Sequence, residues 1–185
     1  KLWISDKNEA IIQFGNINDW DVSSIRDMFG LFLNKSSFND DISNWNVSDV
    51  RNMGNMFKGA SNFNADISGW NVSKVTNMSG MFEGARNFNA DISNWDVSSV
   101  NGMMNMFNGA SSFNKDISDW NIRSLNNTFG MFIGTIGYNE NNTTILWNMT
   151  ESQLKFIPLF KRRFTATGKD GVTKTINIEQ KILTT

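Results

Sequence analysis

The sequence predicts an α/β solenoid of about five 25-residue coils, each a short strand followed by a short helix, with a cap at either end. Three observations predict it. Tryptophan recurs at Trp20, Trp45, Trp70, Trp95 and Trp120, always 25 residues apart. The whole unit recurs with it, most clearly in the copies that begin at Trp45, Trp70 and Trp95. Inside the unit the apolar positions divide into a strand-like pattern and a helix-like one. A fixed period in this range marks a stack in which each coil buries its apolar side only against its neighbours.

Residues 1–19 form the N-terminal cap. Leu2, Trp3, Ile4, Ile11, Ile12 and Phe14 are apolar, and Asp6-Lys7-Asn8 reads as a turn between two short strands. Ile17 already holds the place, three before the tryptophan, that Ile42, Ile67, Ile92 and Ile117 hold later.

Residues 20–146 form the repeat. Ile67, Trp70 and Val72 have the form apolar-x-x-apolar-x-apolar, the strand signature of a leucine-rich repeat, and the solenoid is accordingly of that type. Val75, Met78, Met81 and Phe82 then fall on one face of a short helix, with Ser73 as a cap residue at its start and Gly84 at its end. Phe88-Asn-x-Asp91 is a turn leading to the next strand. Stacking makes ladders of like residues: Ile, Trp, Val, Met and two of Phe. The fifth copy decays, with Thr128 in the first Met position and Gly134-Thr135 in place of Gly-Ala. Trp147 arrives after 27 residues.

Residues 147–163 read as a C-terminal capping strand and helix. Thr150-x-x-Gln153 has the form of a capping box, and Pro158 argues against one straight helix. Lys161-Arg162-Arg163 suits a solvated helix end. Residues 164–185 read as a β-hairpin turning at Asp170-Gly171, belonging either to the cap or to a following domain.

Composition narrows the function. Hydrophobic residues are 39%, charged residues 19% and the net charge is −1, which argues against a nucleic-acid partner, since phosphate binding needs clustered cations. There is neither Cys nor His. Thiolate chemistry, the usual general base and the commonest zinc ligand are therefore missing, and no enzyme, cofactor or metal is expected. No apolar run reaches the ~20 residues that span a bilayer, so this segment is not expected to insert into a membrane. A first residue other than Met suggests a processed product or an excised piece.

The motif Trp-[Asp/Asn]-Val-Ser-x-Val-x-Asn-Met-x-x-Met-Phe-x-Gly-Ala-x-x-Phe-Asn-x-Asp-Ile-Ser, spanning roughly Ile17 to Phe132, resembles the BspA-like leucine-rich-repeat surface proteins. These are bacterial surface proteins and lipoproteins found in mycoplasmas, listerias and their relatives. The resemblance implies a secreted or cell-surface protein that acts in adhesion or recognition. It carries over no catalytic residue.

The binding face expected from such a solenoid is its concave strand side. One column there holds Asp19, Asn44, Gly69, Asn94 and Asp119; the next holds Asp21, Asn46, Asn71, Asp96 and Asn121. Asn44, Asn46, Asn71, Asn94, Asp96, Asp119 and Asn121 are the candidate ligand-binding residues. They suit a protein or glycan on a host or neighbouring cell, met by a monomer. The competing reading is that they only solvate the stack, which would make the chain a spacer or stalk for another domain. Asp41, Asp66, Asp91 and Asp116 form an acidic column whose simpler role is turn capping and whose alternative is calcium binding. The Trp and Met ladders read as core. Leu33, Lys58, Glu83, Asn108 and Ile133 share a variable column that a partner could read.

Overall fold

The structure is a computed structural model describing residues 2–117 and 119–135 and the strands at 163–167 and 173–177. The chain opens with two helices, α1 (Leu2–Ser5) and α2 (Lys7–Phe14), followed by a 3-10 turn at Ile17–Asp19. These replace the two short strands expected of the cap. The reason is local. Asp6 is the N-cap of α2, and its carboxylate accepts the Glu9 N–H at 3.0 Å, so the apparent turn is a helix start. Gly15, at φ 72°, ends the helix and returns its N–H to the Ile11 carbonyl. The cap is fixed to the first coil through Asp40, which accepts the Trp3 indole N–H at 2.7 Å and pairs with Lys7. Trp3 also meets Trp20 edge-on at 5.6 Å.

From Trp20 to Thr135 successive 25-residue units lie one on the next. The Met53, Asn55, Phe57 and Gly59 N–H groups donate to the Asn77, Ser79, Met81 and Glu83 carbonyls at 2.7–2.9 Å. The alternate N–H groups, those of Met56, Lys58 and Ala60, turn back to carbonyls three residues earlier in their own coil. The segment is a run of overlapping turns welded side by side. Parallel bridging is reached at one position per coil, Asp27, Asn52, Asn77, Gly102 and Asn127.

This corrects the strand-then-helix division of the unit. No α-helix and no strand forms in the described part of the repeat, and the inter-coil ladder runs through the segment that the periodicity assigned to a helix. Overlapping four-residue turns bring a side chain inward every three or four residues, so their pattern imitates a helix face. The backbone cannot be helical there. Asn55 and Gly59 stand at φ 55° and 71°, and Gly80 and Gly84 repeat this one coil on, in the left-handed region.

Among the described residues no backbone ladder joins the coils at the Ile-x-x-Trp-x-Val segment. The Trp70 N–H closes a tight turn onto the Ile67 carbonyl at 3.2 Å. The bonds between coils are made by side chains instead. The Trp45, Trp70, Trp95 and Trp120 indoles donate to the Ile17, Ile42, Ile67 and Ile92 carbonyls of the coil before, at 2.7–3.2 Å. Asn39, Asn64 and Asn89 each accept the N–H of the equivalent residue one coil on.

The core lies between these two walls. Of the five tryptophans that recur at the 25-residue interval the last four are buried, as are the Met columns. Rings of the two Phe columns pack 3.8 Å apart within a coil (Phe57 on Phe63) and 5.7 Å between coils (Phe57 on Phe82), within 9° and 2° of parallel. Isolated aromatic pairs prefer offset or edge-to-face contacts; here translation from coil to coil leaves equivalent rings parallel.

Near the C-terminus β1 (Arg163–Thr167) pairs antiparallel with β2 (Thr173–Asn177), Arg163 opposite Asn177. Arg163, assigned by sequence to the capping helix, starts β1. The rest of that cap and the Asp170-Gly171 turn lie outside the described residues.

Candidate recognition face

All seven candidate residues, Asn44, Asn46, Asn71, Asn94, Asp96, Asp119 and Asn121, are exposed. The coil translation that stacks the core also repeats these positions, one per coil in each column, with Gly69 the one that carries no side chain. The two columns then part in chemistry.

In the column Asp21, Asn46, Asn71, Asp96 and Asn121, the side-chain oxygen accepts a backbone N–H two residues on. The donors are Ser23, Ser48, Ser73, Ser98 and Arg123, at 3.0 to 3.4 Å. This is the turn-capping geometry that Asx side chains favour. These oxygens hold their own coil in shape. The amide nitrogens of Asn46 and Asn71 make no hydrogen bond, so the column presents outward donors. Ser73, expected to cap a helix, is held by Asn71 through both its N–H and its hydroxyl, the latter at 2.7 Å.

In the other column the Asn44 and Asn94 side chains make no hydrogen bond within the protein; the Asn44 backbone N–H is bound by the Asn18 side chain at 2.9 Å. Each offers a whole amide, donor and acceptor, to a partner. Gly69, between them, leaves open space where a side chain would stand.

The acidic column behaves as the simpler reading had it. Asp41, Asp66 and Asp91 each accept the N–H of the serine two residues on, at 2.9–3.0 Å. Those N–H groups, followed by the serine hydroxyls, hold the three carboxyls below their ordinary range. For Asp21 and Asp96 the serine hydroxyl leads and the N–H follows. Among the described residues no group of three or more His, Cys, Asp or Glu is arranged to hold a metal ion.

The variable column is partly spent on the stack, because Lys58 and Glu83 pair across adjacent coils at 3.0 Å. Lys74 reaches back in the same way to Asp49 at 2.6 Å, the main cause of that carboxyl's lowered pKa. The repeated Asx-x-Ser spacing was a legible signal of turn capping at several points per coil. What the spacing could not separate was the free amides from the capping ones.

The family model described as "Mycoplasma protein of unknown function, DUF285" matches the chain twice, over residues 4–97 and 67–163. No curated protein and no solved structure matches the chain.

Proposed function

We propose that this chain, which belongs to the DUF285 family, is a non-catalytic recognition or adhesion module displayed at the cell surface or secreted, and that it meets a protein or glycan through its exposed amide columns. In this reading it is a solenoid of the leucine-rich-repeat type, of the BspA-like kind that its repeat resembles. The stacking of five similar coils supports the solenoid; the turns that stand where that type carries strand and helix make this member unusual.

The observation that carries the functional reading is the division of labour on the exposed side. The Asx oxygens of one column serve the fold, whereas the Asn44 and Asn94 amides serve nothing inside it. Unengaged amides repeated along a rigid stack are suited to a hydroxyl- or peptide-rich partner, because they exchange water for ligand at no conformational cost to the turn. Among the described residues no helix is long and apolar enough to cross a membrane.

The test is a binding screen of the chain against glycan and extracellular-protein arrays. Its informative variants are Asn44→Ala with Asn94→Ala, and Asn46→Asp with Asn71→Asp. The second pair keeps the capping oxygen and removes the outward donor. A ligand lost in either pair, at unchanged melting temperature, upholds recognition through these columns. Binding indifferent to both pairs, or no binding at all, would favour a spacer that presents another domain.

A further inference from the structure

In every described coil after the first, four carbonyls of the turn wall accept an N–H from the preceding coil. In the second coil they belong to Asn52, Gly54, Met56 and Lys58, bound at 2.7–2.9 Å. The matching carbonyls of the first coil belong to Asp27, Phe29, Leu31 and Leu33, and none of them accepts a hydrogen bond. The side chains there are equally incomplete. Leu31 is 47% exposed where Met56, Met81, Met106 and Met131 are at 0%, and Phe29 is 56% exposed. The helical cap leaves this wall open because its contacts fall on Trp20 and Asp40.

We propose that this edge is a docking site for one further coil of the same repeat, supplied by another polypeptide chain. The edge continues the interface that already joins each coil to the next. Its polarity selects the occupant. It presents four acceptors, with the Arg26 N–H at one end, so two copies set edge to edge would oppose carbonyl to carbonyl. A regular strand offers N–H and C=O groups together along its edge and would set carbonyl against carbonyl. A lipid surface would leave the four acceptors unpaired, which is costly in an apolar medium. The fitting partner brings N–H groups at alternate residues with apolar side chains beside them, as Met53, Asn55, Phe57 and Gly59 do for the third coil.

The probe is a synthetic peptide with the Trp70–Asn94 sequence, titrated into the isotope-labelled full chain and followed by amide chemical shifts. Shifts confined to residues 25–34 are expected. Leu31→Lys should weaken binding by about tenfold or more, as loss of a central apolar contact does, without lowering the melting temperature; Phe29→Asn should act in the same direction. Ile12→Lys, on the exposed face of α2, should leave binding unchanged. Absence of shifts at peptide excess overturns the proposal, as does binding that Leu31→Lys spares or that Ile12→Lys weakens equally. Binding of neutral phosphatidylcholine vesicles that Leu31→Lys abolishes would assign the edge to a lipid surface instead.

Discussion

The first coil and the third share one register and about half of their residues, and differ in what surrounds them. Val75 is wholly buried, whereas Ile25 is 40% exposed; Trp70 is buried, whereas Trp20 is only half-buried. The third coil has a neighbour on both sides. The first has the second coil on one side and, on the other, a helical cap that covers only the Trp wall. Burial here is a property of position in the stack as much as of residue type, as expected when each unit contacts only its neighbours. Of the exposed large hydrophobics in the described residues, seven (Ile11, Ile12, Phe14, Ile25, Phe29, Leu31 and Leu33) lie before residue 34 and none between 34 and 103. The second and third coils expose nothing of that kind.

Tryptophan gives the largest test of the comparison. Trp70→Ala removes a buried ring and its indole bond to the Ile42 carbonyl, and should cost about 3–5 kcal/mol. Trp20→Ala, at the half-covered end, should cost roughly half of that or less, since burial there is incomplete. Equal losses in denaturant melts would show that the cap completes the first coil as fully as a coil would.

Glycine gives the next. Gly80 stands at φ 64° with the Asn55 amide oxygen where a Cβ would go. Gly80→Ala should therefore cost about 1–3 kcal/mol from the left-handed backbone, and more from the clash. Gly30 has a similar φ but nothing nearer its Cβ position than Leu33 at 3.7 Å. Gly30→Ala should show only the backbone cost, about 1–2 kcal/mol. If the two melt alike, the Asn-over-Gly packing between coils is not contributing.

The smallest effect should be blind to the comparison. Asp21, Asp66 and Asp91 are held below their ordinary value of 3.8 by serine donors two residues on, in the first coil as in later ones. A lowered folded-state pKa means that the contribution is fully present above the ordinary value. It is then lost as pH falls below about 3.8 toward the lowered values. Asp21→Asn and Asp66→Asn should each flatten the acid limb of a melting-temperature curve by a similar small amount, because both caps are local and solvated. A marked difference would mean that the cap strength depends on neighbours after all.

The comparison also shows where the sequence was legible. The coil period, the buried Trp, Met and Phe columns and the turn-capping aspartates could all be read from spacing, because each follows from one residue type returning at one interval. The strand and helix within the unit could not. Met78, Met81 and Phe82 point inward from overlapping turns at the same spacing that a helix gives, and what excludes the helix is the left-handed Gly80, a backbone state that an interior glycine does not announce. In the cap, Asp6-Lys7-Asn8 had turn composition, while the capping of Glu9 by Asp6 made it a helix start. In the candidate site, Asn44 and Asn46 look equivalent as letters. Their roles separate only because the chain turns after Asn46 and returns the Ser48 N–H to it, at 3.2 Å.

By itself, then, the sequence determined a one-dimensional repeat: which residues recur, at what interval, and hence which side chains stack on their own kind. That information is local and periodic, and a fixed period is enough to specify it. Tertiary structure decided what periodicity cannot carry. It split the backbone N–H groups between the home coil and the next, gave the ladder to the turn wall and the indole bonds to the Trp wall, and left the first coil with carbonyls that meet no donor. Those outcomes depend on which peptide faces which neighbour, a choice set only when one coil has been laid upon another.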